Sequence, residues 1–229
     1  VDPRAYDEYL RGQFEFNKRT RDGFVTAIRH FEMAATIDPA FAAAYAGLAD
    51  CHTLMAGFIH LPPRQAIPQA KAAALRALAI NPELANAHVS LGFIRFRYDY
   101  DWPAAEASFA RAIALNPGAD LAHQWYALSL AWVGRFDEAR VEIERALLLD
   151  PLSTPTLTSA GWLHYFARDY DRPIAVFDKV IAANPESPVA YRRRGWAYQM
   201  QGRHDEAIAS FERAHALSRG DFIEAAALG

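Results

Sequence analysis

A proline preceded by aspartate or asparagine recurs along the chain at a nearly constant interval. In the 229-residue sequence the intervals are 43, 35, 34 and 34 residues, and the prolines are Pro39, Pro82, Pro117, Pro151 and Pro185. A fixed period of about 34 residues is typical of repeat proteins, in which each unit packs against its neighbours. The interval therefore predicts an array of similar units and not one or two unrelated globular domains.

Each period contains two stretches with the spacing of an amphipathic helix. Before the proline, an alanine is followed four residues later by another apolar residue, as at Ala105 and Phe109. Further upstream, a stripe recurs at positions i, i+3, i+4 and i+7, for example at Leu157, Ala160 and Gly161. Both spacings place residues on one face of a helix. We predict two helices per period, the second ending at the proline, which cannot continue a helix.

Small and large residues at equivalent positions predict how the two helices of a period pack. Gly161 and Gly195 in the first helices would let the neighbouring helix approach closely, and the large residue four after the alanine would fill the remaining space. The turns between the helices carry acidic residues, and we predict that Asp137, Asp171 and Asp205 are N-caps. An acidic residue early in a helix also interacts favourably with the helix dipole.

The unit that lies closest to a known pattern reads Y-x2-R-G-x2-Y at residues 191–198 and A-x3-F at residues 207–211. It resembles the tetratricopeptide repeat pattern W-x2-L-G-x2-Y, A-x3-F and P, which every unit matches loosely. The resemblance implies an all-α fold, a right-handed superhelical solenoid of about six helix-turn-helix repeats with a C-terminal partial capping helix. The expected repeats are residues 5–41, 42–84, 85–119, 120–153, 154–187 and 188–219, and the expected cap is 220–229.

A narrower resemblance concerns residues 5–20 and 91–102, which look like repeat regions attached, in bacteria, to winged-helix regulators, Ser/Thr kinases or adenylate cyclases. It implies that the chain is the partner-binding or sensory part of a larger signalling protein. Family members that grip the C-terminal carboxylate of a chaperone use Lys and Asn in their first repeats. The matching positions here hold Tyr9, Gln13, Ala46 and Asp50. A two-carboxylate clamp is therefore not expected.

The charge, the apolar content and the cysteine count limit which partners the chain is expected to bind and in which compartment it is expected to occur. The chain has 24 Lys and Arg against 27 Asp and Glu, a net charge of −3, without the basic surplus on which nucleic-acid affinity depends. No apolar run approaches the roughly 20 residues that a membrane-spanning helix needs. The single cysteine, Cys51, cannot form an intramolecular disulfide, which favours a reducing, cytoplasmic compartment and leaves a periplasmic one open.

Sequence motifs that would indicate an enzyme, a cofactor site or a metal site are not found. The chain contains no Gly-rich phosphate loop, no HExxH, no GxSxG and no CxxC. His88, His123 and His164 fall on the packing stripe, and no two histidines have the i, i+4 spacing of a helical metal site. Cys51 is expected to be a small buried residue and not a reactive thiol. We expect no catalytic residue, no cofactor and no metal.

Aromatic residues recur at two positions of the first helices, on the stripe that in the family lines a concave binding face. Tryptophan, tyrosine and arginine dominate binding hot spots, and adjacent arginines suit an acidic or carboxylate-bearing ligand. The candidate partner-binding residues are Phe93, Arg97, Trp125, Leu128, Trp132, Trp162, Phe166, Arg192, Arg193, Trp196 and Met200. The alternative, in which these aromatics pack between successive first helices as ordinary core, stays open.

The sequence therefore predicts a module that binds a protein or peptide in an aromatic-lined concave groove. One alternative is a sensory domain that holds a small molecule between the aromatics and an insertion at residues 57–68, and another is an enzyme or enzyme subunit. The insertion itself is either a lip over the groove or an extended surface loop. Weak self-association of the chain is also left open.

Overall fold

The computed structural model describes residues 1–57 and 61–218, which form helices joined by short turns. The helices are α1 (Pro3–Asn17), α2 (Arg21–Ile37), α3 (Ala42–Gly57), α4 (Pro63–Ile80), α5 (Ala85–Ile94), α6 (Trp102–Leu115), α7 (Asp120–Trp132), α8 (Phe136–Leu149), α9 (Thr154–Phe166), α10 (Asp171–Ala183), α11 (Pro188–Met200) and α12 (His204–Leu217). A π-helical turn, Arg95–Asp99, directly follows α5. No strand occurs in the two described ranges, which confirms the predicted all-α class. The expected cap at 220–229 lies outside the described residues.

The chain divides into two compact units, Val1–Ala122 and His123–Gly229. In the first unit α1 packs on α2, α3 on α4 and α5 on α6, and the side chains of Phe24, Phe31 and Phe109 are fully buried. In the second unit α9 packs on α10 and α11 on α12, and Phe177 and Phe211 are buried between them. In each unit, helices that are neighbours in sequence pack together, as the repeated pattern predicts.

The acidic or amide residue before each repeat proline ends a helix in the same way at every occurrence. These five residues are Asp38, Asn81, Asn116, Asp150 and Asn184. Each donates its backbone N–H to the carbonyl four residues earlier, and its side-chain oxygen accepts a hydrogen bond from the backbone N–H two residues later. The predicted helix ends are confirmed. This side-chain hydrogen bond, an Asx turn, explains why Asp or Asn occupies the position.

The second helix of three pairs begins at or one residue before the acidic residue that was predicted to cap it. Helix α8 begins at Phe136 and α12 at His204, so Asp137 and Asp205 are second residues, while Asp171 is the first residue of α10. The prediction that the three aspartates are N-caps is therefore wrong. In α8 the reason is the side chain of Phe136, which packs against the core and belongs to the helix. The aspartates still lie in the first turn, where the helix dipole favours them.

Glycines of the first helices lie directly against buried phenylalanines of the second helices. A Cβ atom at Gly161 would lie 2.6 Å from the ring of Phe177, and one at Gly195 would lie 2.5 Å from Phe211. The same contact is made by Gly12 and Gly47 with Phe31 and by Gly92 with Phe109. The close approach predicted from the small and large residues is confirmed at these positions.

The insertion at residues 57–68 is largely helical where it is described. Helix α3 ends at Gly57, and α4 begins at Pro63, whose fixed φ angle suits the first turn of a helix. Pro68 also lies inside α4. Residues 63–68 therefore lengthen α4 and do not form the extended surface loop that the sequence left as one alternative. Residues 58–60 lie outside the described residues.

Candidate functional site

Five aromatic side chains of the second unit form a continuous series of ring contacts, here called the aromatic patch. They are Trp132, Trp162, Tyr165, Phe166 and Trp196. The ring of Trp162 stacks on Phe166 with centroids 5.1 Å apart and on Trp196 with centroids 5.4 Å apart, while Phe166 meets Trp132 edge-on at 5.9 Å. Rings in these arrangements attract one another beyond the effect of burial. Helices α7, α9 and α11 together supply this surface.

Helix geometry explains why these rings meet. Trp162 and Phe166 are one turn apart on α9 and share one face of that helix. Trp196 occupies the equivalent position on α11, and Trp132 occupies on α7 the position that Phe166 has on α9. Because α9 and α11 are in contact, equivalent residues on successive first helices come together. Trp162 and Trp196 therefore lie side by side on α9 and α11.

The aromatic patch is open to solvent at one end and half-buried at its centre. Trp132 is 46% exposed, whereas Trp162, Phe166 and Trp196 are partly exposed. Phe166 also packs against the core of the second unit, which includes Leu130. The sequence left open whether these aromatics form an exposed face or ordinary core. The rings of the aromatic patch have both properties, since they pack against the core and still present area to solvent.

A shallow apolar depression of about 350 Å³ adjoins the aromatic patch. It is lined by Ala131, Trp132, Gly134, Phe136 and Phe166. Gly134, in the turn after α7, has a φ angle of +80°, which L-residues rarely adopt, and it adds no side chain to the depression. The depression is therefore lined almost entirely by apolar side chains.

Two arginines of α11 lie over the tryptophans of the aromatic patch. The guanidinium of Arg193 is 4.9 Å from the ring centroid of Trp162, and that of Arg192 is 5.6 Å from the ring centroid of Trp196. Arg193 also donates a long hydrogen bond of 3.4 Å to the carbonyl of Thr158. Burial, and then the charge of Arg192, lowers the pKa of Arg193 to about 9. Positive charge is therefore held against the rings in a partly dehydrated place.

Some predicted site residues lie apart from the aromatic patch. Trp125 is only 4% exposed, and the prediction that it belongs to an exposed face is wrong because its ring is enclosed by packing. Leu128 is half-buried, and Met200, at the end of α11, is 51% exposed. Phe93 and Arg97 belong to the first unit, where Phe93 is half-buried and Arg97 lies exposed in the π-helical turn.

Phe136 is a residue of the candidate site that the sequence interpretation missed. It lines the depression, although the turn that contains it was interpreted only through Asp137. A signal was available, because this turn has phenylalanine at the place where the corresponding turn of the last pair has the polar residue His204. An aromatic hydrocarbon side chain in an otherwise polar turn indicates a packing or contact role.

The first unit contains a buried carboxyl group at one of the four positions that correspond to the chaperone clamp. Asp50 is 5% exposed and accepts a hydrogen bond from the hydroxyl of Ser90. Burial raises the pKa of Asp50 to about 7, although Ser90 and the charge of Arg19 act in the opposite direction. The neighbouring Cys51 is fully buried, as expected, and burial raises the pKa of its thiol well above the usual value.

Neither a metal-binding cluster nor a spanning helix occurs in the part of the chain that the structure describes. Within residues 1–57 and 61–218, no group of three or more His, Cys, Asp or Glu side chains is arranged to hold a metal ion. Over the same ranges, none of the helices has both the length and the apolar character that crossing a membrane requires.

Residues 158–227, which contain most of the aromatic patch, match the sequence model of the tetratricopeptide repeat family. This segment carries tetratricopeptide repeats. The fold of the chain agrees with that of the type IV pilus biogenesis factor PilW, with a TM-score of 0.68 at 15% identity over 100% of both chains. It also agrees with the APC/C complex Cut9-Hcn1, with a TM-score of 0.69 at 16% identity over 98% of this chain and 45% of the other. The predicted family and helix-pair fold are confirmed.

Among curated proteins, the repeat chain is similar to a transcriptional regulator. It is 25% identical over 198 residues to HilA of Salmonella typhimurium, an alignment that covers 86% of this chain and 36% of HilA. It is also 23% identical over 96 residues to anaphase-promoting complex subunit 3 of Schizosaccharomyces pombe, which covers 41% of this chain and 14% of that subunit. The chain thus spans about a third of the length of HilA.

Proposed function

We propose that this tetratricopeptide-repeat chain is a protein-interaction module that binds a protein or peptide partner through the aromatic patch. The observation that carries the proposal is the series of ring contacts from Trp132 to Trp196, anchored by packing and still partly exposed. Aromatic side chains held rigid in this way bury a large area on binding and lose little conformational entropy. The adjoining depression offers a place for an apolar side chain of the partner.

The fold and the comparisons support an interaction role. Stacked helix pairs of this family serve as scaffolds for binding other proteins, because successive first helices present side chains along an extended surface. The chain aligns with only 36% of the transcriptional regulator HilA. We infer that it acts as the partner-binding part of a larger bacterial signalling or regulatory protein.

The experiment is a selection of random peptides displayed on phage against the whole chain, followed by calorimetry with the selected peptides. Trp132→Ala removes the most exposed ring of the aromatic patch, and we expect it to weaken peptide binding by about 2 kcal/mol. Trp102→Ala is the matched control, since Trp102 is 54% exposed but lies in the first unit. Equal affinity of the selected peptides for wild type and Trp132→Ala would refute the proposal.

A further inference from the structure

We propose that Arg193, held over Trp162, is a carboxylate-binding residue and that the partner carries an acidic side chain beside a large apolar one. This inference rests on the proposed function, because it names the chemistry of the partner that the aromatic patch would bind. Its basis is an arginine that has no acidic partner among the described residues, lies over the ring of Trp162 and is half-buried.

Most N–H donors of Arg193 have no hydrogen-bond partner among the described residues. A guanidinium has five N–H donors, and within the described residues Arg193 makes one hydrogen bond, the 3.4 Å contact with the carbonyl of Thr158. No carboxylate in the described ranges forms an ion pair with it. Placing a cation in a half-buried site without an anion is unfavourable, and an incoming carboxylate would relieve that cost.

Several other arginines of the second unit, unlike Arg193, already have an acidic partner. Arg194, the next residue, lies 2.6 Å from a carboxylate oxygen of Asp178 and also hydrogen-bonds Ser210. Arg203 lies 2.8 Å from a carboxylate oxygen of Glu206. Because these two guanidinium groups already pair with carboxylates of the chain, they gain less from binding a carboxylate of a partner.

The cation and the apolar depression are linked through a single ring. Trp162 contacts the guanidinium of Arg193 and stacks on Phe166, which lines the depression. A partner segment lying on the aromatic patch would therefore contact both the apolar depression and the guanidinium of Arg193. Two side chains that are close together in the partner's sequence could make these two contacts. Arg192 lies over Trp196 on the same helix, and its charge acts on Arg193.

This arrangement is distinct from the two-carboxylate clamp considered in the sequence analysis. The positions of that clamp lie in the first repeats and hold Tyr9 and Gln13, while Asp50 at another clamp position is buried and itself acidic. The arrangement proposed here lies in the second unit and uses a guanidinium stacked on an indole. A guanidinium recognises a carboxylate by two parallel hydrogen bonds, which an ammonium group does not form.

The test uses the peptides selected from the phage library on the whole wild-type chain. We expect Asp or Glu to be enriched next to aromatic or large aliphatic residues in these peptides. Replacing the acid of a selected peptide with its amide should weaken binding about tenfold or more. Arg193→Gln should cause a similar loss, and the amide peptide should lose little more on that variant. Arg203→Gln is the control, since Arg203 lies exposed on the same unit.

Because Arg193→Gln alters packing on Trp162, the exchange of acid for amide in the peptide provides a readout that leaves the protein unchanged. If the amide and acid peptides bind wild type equally while Trp132→Ala weakens both, the inference is overturned and the proposed function stands. If selection yields no peptide that depends on Trp132, both are overturned. Arg193→Lys should recover only part of the loss, since it keeps the charge without the planar pair of donors.

Discussion

The charge state of Asp50, in the first unit, depends on the fold. Its carboxyl is enclosed, with Ser90 as hydrogen-bond donor, and its pKa is raised by burial to about 7 from a usual value of 3.8. A carboxyl whose pKa is higher in the folded state stabilises the fold fully at pH values below its unfolded pKa. That contribution is lost as the pH rises toward the folded pKa.

We expect Asp50→Asn to remove part of the pH dependence of unfolding. Between pH 5 and pH 8 the wild-type chain should lose roughly 2 kcal/mol of unfolding free energy that the variant keeps, because the ionised carboxyl must be accommodated away from water. Urea unfolding of both chains across this pH range measures the difference, which cancels the titration of other groups. Parallel pH profiles for the two chains would contradict the raised pKa.

Gly161 tests how closely two helices pack against each other. A Cβ at this position would lie 2.6 Å from the buried ring of Phe177, so Gly161→Leu should reduce the unfolding free energy by about 1–3 kcal/mol. Gly118→Ala is the control, since its Cβ would come no closer than 3.4 Å to the Asn116 side chain. Thermal melting followed by circular dichroism measures both, and an unchanged melting temperature for Gly161→Leu would refute the assigned contact.

At the scale of the helix, the sequence predicted where the second helices end better than where they begin. The ends are set by local chemistry, because proline and the Asx turn of residues such as Asn184 act within a few positions. The beginnings depend on tertiary packing. Phe136 joins α8 because its side chain packs against the core, which displaces the helix start from the position expected for Asp137. Cap preference is too weak to oppose that burial.

The stacked rings of Trp162 and Trp196 connect α9 and α11. Replacing either ring shows whether it contributes mainly to the stability of the fold or to peptide binding. We expect Trp162→Ala and Trp196→Ala each to weaken peptide binding by about 2 kcal/mol or more. Their loss of stability should be clearly smaller than that of Phe177→Ala, a fully buried ring whose removal should cost about 3–5 kcal/mol. Urea unfolding and calorimetry on the three variants provide the comparison. Equal destabilisation by all three would identify the tryptophans as core.

At the scale of the whole molecule, charge predicts weak attraction to nucleic acid. The net charge of −3 includes adjacent arginines at 192–194, but Arg194 is paired with Asp178, so the cluster is partly neutralised. We expect no binding to duplex DNA at physiological salt, because counterion release by a basic surface supplies most of that affinity. Fluorescence anisotropy with a labelled duplex, repeated at several salt concentrations, measures this. A micromolar, salt-sensitive complex would show that the arginines form a basic surface.

The sequence predicted the repeated helix pairs and the recurrence of aromatics at equivalent positions of the first helices, because both follow from a period and a helical spacing. It did not predict how deeply each aromatic is buried. Trp125 and Trp132 lie two turns apart on α7, yet Trp125 is 4% exposed and Trp132 is 46% exposed. That difference depends on which neighbouring helices cover each ring, which no local pattern in the chain encodes.

The contact between glycine and phenylalanine within a helix pair also bears on how such a chain can change in length. Gly161 with Phe177, and Gly195 with Phe211, are each encoded inside one pair. In the pair of α7 and α8 the corresponding residues are Ala127 and the smaller Ile143, which lie in one core cluster, so the two positions vary together. A duplication or deletion of one complete pair would carry both members of the contact with it. Recombination in whole pairs can thus change the number of helix pairs without leaving a void or a clash inside any pair.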